Sequence, residues 1–438
     1  MSKPNKVQKR MLKKLGIEQL NPMQEEAKLA IEACPEVVLL SPTGTGKTLA
    51  FLLPLVAGLN PDEKGVQALI LTPSRELAIQ IEQVARQMGT GYKINAVYGG
   101  RPVSKDKLEL KHLPSILVGT PGRIEHHLRI ETFNAESIQT LVLDEFDKSL
   151  EIGFEEQMME IVDYLHPVGK KILTSATQGI NIPAFVALTD PVYIDYSQEG
   201  VAQLTIKSFV SSDKDKLETL GKALCHLGNQ AGIIFCNYKD SIQRISDYLT
   251  ELNIPHGTFY GGLEQRDRER ALIKFRNGTH QLLLATDLAA RGIDIPEIQF
   301  IIHYHLPHHS EEFTHRNGRT ARMHNEGTAY VLHWEEENLP EFIERLDLEA
   351  EPIQTAELPS PSLWSTIFVS GGRKDKISKG DIVGLFLKQG QLESDELGKI
   401  ELKNDCAFVA VHTAKVTQLF QYADNTRLKK KKVRLKLV

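Results

Sequence analysis

No stretch of this 438-residue chain approaches the ~18 uninterrupted apolar residues that a membrane-crossing helix requires. Cysteine is scarce: Cys34, Cys225, Cys236 and Cys406 are scattered with no C-x-x-C pair. That excludes a disulfide framework and a structural zinc site, and it fits a reducing cytoplasm. The N-terminal run MSKPNKVQKRMLKKLG is basic but lacks the apolar segment of a secretory signal. An overall charge excess is also missing, since 52 Lys and Arg face 57 Asp and Glu, a net −5. With hydrophobic residues at 41% and charged residues at 25%, neither a disordered nor a collagen-like chain is possible. At roughly 100–200 residues per domain, the length allows two to four domains, each with a sizeable core.

The modest net charge hides an asymmetry. From Leu363 to Val438 there are 15 Lys and Arg against 8 Asp and Glu, a net +7, which leaves −12 for the rest. A basic C-terminal module on an acidic body points to a polyanion held by the tail. The run Lys429 to Lys432 alone reads as a solvated tail, but it adjoins VRLKLV, whose alternation reads as a strand. Upstream, short apolar runs alternate with helical patterns over the first ~345 residues, within boundary errors of a few residues. EVVLL, QALIL, SILVG, TLVLDE and KKILTS make one such series. AGIIFCN, HQLLLATD, IQFIIHYHLP and GTAYVLHW make a second. Near-continuous Val, Ile and Leu strands, each followed by a helix, predict parallel sheets covered on both faces. Between the series, DPVYIDYSQEGVAQLTIKSF is polar and helix-poor and reads as a linker, as does LEAEPIQTAELPSPS. The expected division is 1–198, 205–347, a linker at 348–362, and a small α+β module at 363–438.

Two patterns carry chemistry. EVVLL runs into Ser41, Pro42, Thr43, Gly44, Thr45, Gly46, Lys47 and Thr48, followed by the apolar helix LAFLLPLVAGL. Such glycines let backbone N–H groups turn inward around phosphate oxygens, and the helix N-terminus adds its positive end. In that pattern Lys47 reaches the β- and γ-phosphates and the Thr48 hydroxyl ligates Mg2+. Ser41 stands where the general pattern has glycine. The second pattern is TLVLDEFDKSL, which puts Asp144 and Glu145 at the end of a buried strand. In open parallel sheets that edge binds ligands. One carboxylate there can hold Mg2+ and the other can orient or deprotonate an attacking water.

Taken in order from residue ~15 to ~325, an approximate range, the motifs resemble those of the DEAD-box RNA helicases. GIEQLNPMQ (Gly16 to Gln24) is similar to the Q motif, in which Gln24 reads the adenine edge. SPTGTGKT is the phosphate loop of that family. TPSRELA (Thr72 to Ala78, with Pro73 and Arg75), Gly99-Gly100 and Thr120-Pro121-Gly122-Arg123 resemble its first RNA-backbone motifs. Asp144-Glu145-Phe146-Asp147 stands at the namesake box, and Ser175-Ala176-Thr177 at the coupling motif, with Asp147, Ser175, Thr177 and His315 as coupling residues. ATDLAARGIDI (Ala285 to Ile295) is similar to a later motif in which Thr286 and Gly292 face RNA phosphates and Asp294 the nucleotide ribose. HRNGRTAR (His315 to Arg322) resembles the motif whose Arg319 and Arg322 act as arginine fingers. The resemblance implies two tandem RecA-like parallel-sheet domains, ATP and Mg2+ as ligands, and catalysis by Lys47, Asp144, Glu145, Arg319 and Arg322. It also makes hydrolysis depend on closure of the two domains, because an arginine fork stabilises charge on a transferring phosphoryl group. Glycines at the backbone motifs let N–H groups approach a sugar-phosphate chain without reading sequence.

Several positions depart from the family. Phe146 replaces a small residue, which bears on packing against Ser175 and its neighbours and so on coupling. Ile17 replaces an aromatic that stacks on adenine, which implies weaker nucleotide binding. Asn317 and Ala321 are milder changes. His303 and His305, at positions usually Asn and Asp, read as partly exposed strand-end residues rather than metal ligands. The C-terminal stretch resembles the RNA-binding domain of the DbpA subfamily, most specifically at Gly372 to Lys376 and Gly398-Lys399-Ile400. That resemblance implies an RRM-like α+β fold that recognises a hairpin of large-subunit ribosomal RNA. Against the ordinary RRM strand signature only Ala407, Phe408 and Val409 match, so contacts from Arg373, Lys374, Lys376 and Lys399 are expected to outweigh base stacking, with Phe408 in the core. The expected function is an ATP-dependent RNA helicase acting on structured ribosomal RNA, a cytoplasmic monomer. An ATP-gated RNA clamp with little unwinding is the alternative.

Overall fold

A computed structural model describes residues 3–42, 44–165, 168–176, 182–197, 204–287, 298–320 and 327–438. Thr43, Thr177, Gly292, Asp294, Ala321 and Arg322, singled out above, lie outside these. The described residues divide into two compact units, one up to residue 197 and one from residue 204 onward.

The first unit is a parallel sheet of β1 (Glu36–Leu40), β2 (Ala68–Leu71), β3 (Ile94–Val97), β4 (Ile116–Gly119), β5 (Thr140–Leu143), β6 (Lys170–Ser175) and β7 (Val192–Asp195). Their order is β3-β4-β2-β5-β6-β1-β7. Its helices are α1 (Lys3–Leu15), α2 (Pro22–Ala33), α3 (Lys47–Ala57), α4 (Arg75–Met88), α5 (Val103–Leu110), α6 (Pro121–Arg129), α7 (Phe146–Glu151) and α8 (Glu155–Tyr164). The apolar runs of the strands follow from burial on both sides. Val37 and Leu39 enter one core layer while Val38 enters the other, because successive side chains point to opposite faces.

The second unit opens with another parallel sheet: β8 (Leu204–Ser211), β9 (Gly232–Phe235), β10 (His256–Phe259), β11 (Leu282–Ala285), β12 (Phe300–His303), β13 (Gly327–Trp334) and β14 (Glu349–Ala350). The order is β10-β11-β9-β12-β13-β8-β14. Helices α9 (Leu217–Leu227), α10 (Lys239–Glu251) and α11 (Gln265–Arg276) pack on it. The stretch read as a linker between the two series therefore contains two strands, β7 and β8. Both are too polar to register as apolar runs: three of the four residues of β7 are exposed at the sheet's edge. The second supposed linker begins with β14, which pairs with β8, while Glu351 binds Lys207 through its carboxylate.

The C-terminal module has an antiparallel sheet of β15 (Trp364–Val369), β16 (Leu397–Leu402), β17 (Ala407–His412) and, after the two-residue strands β18 (Arg427–Leu428) and β19 (Lys431–Lys432), β20 (Leu435–Leu437). The order is β16-β17-β15-β20. Ile367, Val369, Ala407, Val409 and Val411 face the module's core, with Ile382, Phe386 and Leu419 of its helices. Phe408, expected in that core, lies on the opposite face. It is only 7% exposed and packs edge-on against Phe368, centroids 5.6 Å apart. That same face meets the end of α11. Asn277 donates to Thr366 Oγ1 (3.1 Å), Thr279 bonds the same hydroxyl (2.7 Å), and Arg276 pairs with Glu401 (3.1 Å). The lysine run is anchored rather than loose: Lys429 pairs with Asp381 and Lys431 with Asp375.

Candidate functional site

The strand order of the first unit sorts its loops into two groups. Neighbouring strands β5, β6 and β1 end in Asp144, Ser175 and the phosphate loop, with Leu40 in register with Ser175. Ser41 is buried, and its N–H donates to Ser175 O (3.0 Å). Its hydroxyl donates to Thr45 Oγ1 (2.8 Å), which in turn donates to Pro42 O (2.9 Å). The serine that departs from the glycine pattern thus ties the loop to itself. Gly44 and Gly46 have φ of +87° and +89°. The φ at Gly46 calls for glycine, and a Cβ there would sit 2.3 Å from Gln24 Nε2 and displace that amide. Lys47 opens α3 with its ammonium folded back to Ser41 O (2.5 Å) and Pro42 O (2.9 Å). Thr48, the next residue, is half-buried.

Gln24 is buried at the start of α2, capped reciprocally with Asn21. Its Oε1 accepts from Asn21 N (3.1 Å) and its Nε2 donates to Gly46 O (3.2 Å), while Asn21 Nδ2 donates to Thr45 O (3.0 Å). The glutamine expected to read adenine is thereby bonded to the phosphate loop. Ile17 packs, partly buried, at the edge of the same core.

Asp144 is 2% exposed, and its carboxyl is pushed up to about 7 by burial and then by the like charge of Glu145, with Thr174 and Lys47 opposing. Thr174 donates to Asp144 Oδ1 (2.5 Å) and accepts from Glu145 N (3.2 Å). Glu145 is half-buried and has φ of 49°, a left-handed conformation that costs energy for a residue with a side chain. A buried carboxyl held near neutrality, with Lys47 and Thr48 following β1 one strand beyond β6, suits a divalent cation, whose charge would restore the ionised form. Phe146 is 1% exposed inside the core, so its ring does not protrude. Asp147 is buried beside Lys148 Nζ (3.2 Å).

Three further strands, β3, β4 and β2, end in Gly99-Gly100, Thr120 to Arg123, and Pro73 to Arg75. Ser74 caps α4 by accepting from Leu77 N (3.2 Å), which sets Arg75 on the first turn. The Arg75 guanidinium lies against Gly100, where a Cβ would come within 2.3 Å of it. Thr120 precedes α6, Pro121 occupies its first position, and Gly122 faces open space. Arg123 is held by Arg101 O (2.6 Å) and Asp106 Oδ2 (3.3 Å). Asp106 is fully buried and also binds Arg101 and His127 (3.1 Å). These three supporting residues belong to none of the motifs, and no spacing signals them.

In the second unit, Arg316 joins three strand ends. It is 1% exposed, grips Asp287 through Nε (2.6 Å) and Nη2 (2.5 Å), and donates to His305 O (2.7 Å) and Asn237 Oδ1 (2.8 Å). Arg316 lies in HRNGRTAR and Asp287 in ATDLAARGIDI, so for these two the sequence carried the signal, while Asn237 closes the apolar run AGIIFCN. Thr286, half-buried, stands at the end of β11 beside this cluster. Arg319 is 5% exposed and His315 8% exposed, in and after the helix Ser310–Asn317. His303 corrects the expectation of partial exposure: it is fully buried, binds Asn317 Oδ1 (3.0 Å), and is pushed down to about 3 by burial and Arg316. His305 is half-buried and pushed down to about 4 by burial and nearby cations. Among the described residues, no His, Cys, Asp and Glu cluster could hold a metal ion by itself. Arg373, Lys374, Lys376 and Lys399 are all exposed on the C-terminal module.

Comparison with known proteins matches residues 21–184 to the DEAD/DEAH box helicase family, 215–324 to the helicase conserved C-terminal domain, and 366–437 to the DbpA RNA binding domain. The ATP-dependent RNA helicase DbpA of Escherichia coli K12 is 31% identical over 439 residues, covering 98% of this chain and 96% of that protein. The chain belongs to the DbpA family of DEAD-box ATP-dependent RNA helicases. Its Bacillus subtilis relative, also named ATP-dependent RNA helicase DbpA, is 32% identical over 97% of this chain and 96% of that one. Among solved structures, S. cerevisiae Dbp5 bound to RNA and ADP BeF3 is 25% identical, with TM-score 0.65 over 75% of this chain and 88% of that chain. Mss116p bound to ssRNA and AMP-PNP is 25% identical, with TM-score 0.69 over 83% and 78%. As a DbpA-family member the chain is an RNA-dependent ATPase and helicase that binds ATP and RNA. No described helix is long and apolar enough to cross a membrane.

Proposed function

We propose that this helicase remodels structured ribosomal RNA during large-subunit assembly in the cytoplasm, delivered to its target by the C-terminal module. The observation that carries the reading is the match of residues 366–437 to the DbpA RNA binding domain, on a module with net charge +7 and four exposed basic residues at the motif positions. In this reading the ends of β5, β6 and β1 take Mg2+·ATP. Lys47 and the loop N–H groups hold phosphates, Thr48 and Asp144 hold the cation, and Glu145 orients and deprotonates the attacking water. Arg319 and Arg322 supply positive charge to the transferring phosphoryl group, and Asp294 holds the ribose. The ends of β3, β4 and β2, with Thr286 and Gly292, take the RNA backbone. Asp147, Ser175, Thr177 and His315 couple the two activities. The working division remains 1–198, 205–347 and 363–438, acting as a monomer. Crosslinking the protein to RNA in cells and sequencing the bound fragments tests the target. Enrichment of one large-subunit segment supports the reading, and a spread over messenger RNAs with no ribosomal peak removes it.

A further inference from the structure

Between the second parallel-sheet domain and the C-terminal module, both within one unit, lies a cleft of about 1000 Å³. Arg266, Arg270 and Lys274 of α11 line it, and Lys436 of β20 faces it from the module. The three helical residues are spaced i, i+4 and i+8, which places them on one stripe a turn apart, with a rise of ~6 Å per step. Like charges at that spacing destabilise a helix. Among the described residues no carboxylate pairs with any of the four within 4.0 Å, and Asp267 is the one acidic side chain in the lining. Burial pushes the Lys274 ammonium below the ordinary range, and the neighbouring Arg270 acts in the same direction. The row also has a direction. Helix α11 begins after β10, at the sheet edge that carries Thr286, and ends at Asn277 and Thr279, where the module docks.

We propose that this cleft is an RNA-backbone channel, in which Arg266, Arg270, Lys274 and Lys436 hold successive phosphates of a strand running between the C-terminal module and the second helicase domain. The proposal rests on the RNA-dependent activity of the family, since an enzyme that grips RNA with both its module and its core must carry the intervening strand somewhere. The charges contact phosphate and read no base, so they set the path of the strand rather than its sequence. Arg270, Lys274 and Lys436 lie outside the motifs of the core, Arg266 falls within Gln265-x-x-Arg268, and none of the four belongs to the basic group at Arg373 to Lys376.

The test compares a hairpin RNA with the same hairpin carrying an oligouridine extension, bound to the intact protein across a salt series. In the unsubstituted protein the extension tightens binding and steepens the salt dependence. In R266Q/R270Q/K274Q the slope gained from the extension falls by about 2, at ~0.7 for each phosphate contact on a single strand. Lys436→Gln, on a different element, lowers it by about 0.7 on the same basis. Removing a row of like charges should not lower the melting temperature of the triple variant. If it does, Lys436→Gln still decides. An extension that adds the same increment in the variants, or none in the unsubstituted protein, overturns the channel. Failure of any RNA to stimulate ATP hydrolysis by the unsubstituted protein would instead strike the reading beneath it.

Discussion

At the scale of single residues, the proposed nucleotide site is a problem in electrostatics at one strand end. Asp144 is ionised near pH 4 in an unfolded chain but only near pH 7 in the folded one, because burial and Glu145 oppose its charge. The folded chain therefore binds the extra proton between those values, and the carboxyl works against stability increasingly as pH rises from 4 to 7. Replacing it should relieve that penalty. Without ligands, Asp144→Asn should raise the melting temperature at pH 8 and leave it nearly unchanged at pH 4. A melting curve that shifts equally at both pH values, or falls at pH 8, contradicts the assignment. Affinity for Mg2+·ATP should grow through pH 7 in the native protein, since the cation must displace that proton. Glu145→Gln should lower RNA-stimulated ATP hydrolysis by ~10² to 10⁴, the span of general-base catalysis, while ATP and RNA still bind. Lys47→Ala should instead weaken nucleotide binding itself. Near-normal turnover in either variant removes the proposed site.

At the scale of elements, strand ends do the positioning, and cross-links between them fix the spacing. Gln24 ties α2 to the loop that opens α3, Thr174 of β6 ties β5, and Arg316 ties β9, β11 and β12. In the last, Arg316 is buried and Asp287 half-buried, so Arg316→Ala leaves a partly desolvated carboxylate without its partner and should cost about 1–3 kcal/mol. Urea unfolding followed by a probe in the second unit measures it, and a loss below ~1 kcal/mol, as for an exposed pair, would show that the cluster is not structural. These strands were legible because EVVLL, TLVLDE and AGIIFCN are buried on both faces. β7 and β8 were not: β7 is an edge strand with three of its four residues exposed, and β8, paired with β13 and the two-residue β14, interleaves Thr, Lys and Ser with its apolar residues, so neither shows an apolar run. The motif residues were legible by type and order. Their supports, Asp106 with Arg101 and His127, were not, because contacts between two separate helices and a loop leave no local pattern.

At the scale of the molecule, the charge split between tail and body was visible in the sequence, but the docking of the module was not. Asn277, Thr279, Thr366 and Glu401 are unremarkable polar residues until the fold sets them face to face. That contact covers part of the sheet face carrying Phe368 and Phe408, and leaves Arg373, Lys374, Lys376 and Lys399 exposed. Removing the whole module would uncover Asn277, so its role is better tested by substitution within the intact chain. The most direct measurement is RNA-stimulated ATP hydrolysis with a large-subunit ribosomal hairpin and with its scrambled counterpart. The native protein should reach half-maximal stimulation at a far lower concentration of the ribosomal hairpin, and R373A/K374A/K376A should bring the two RNAs together. Equal stimulation of the native protein by both hairpins would contradict the account and leave the module an electrostatic anchor without a preferred target.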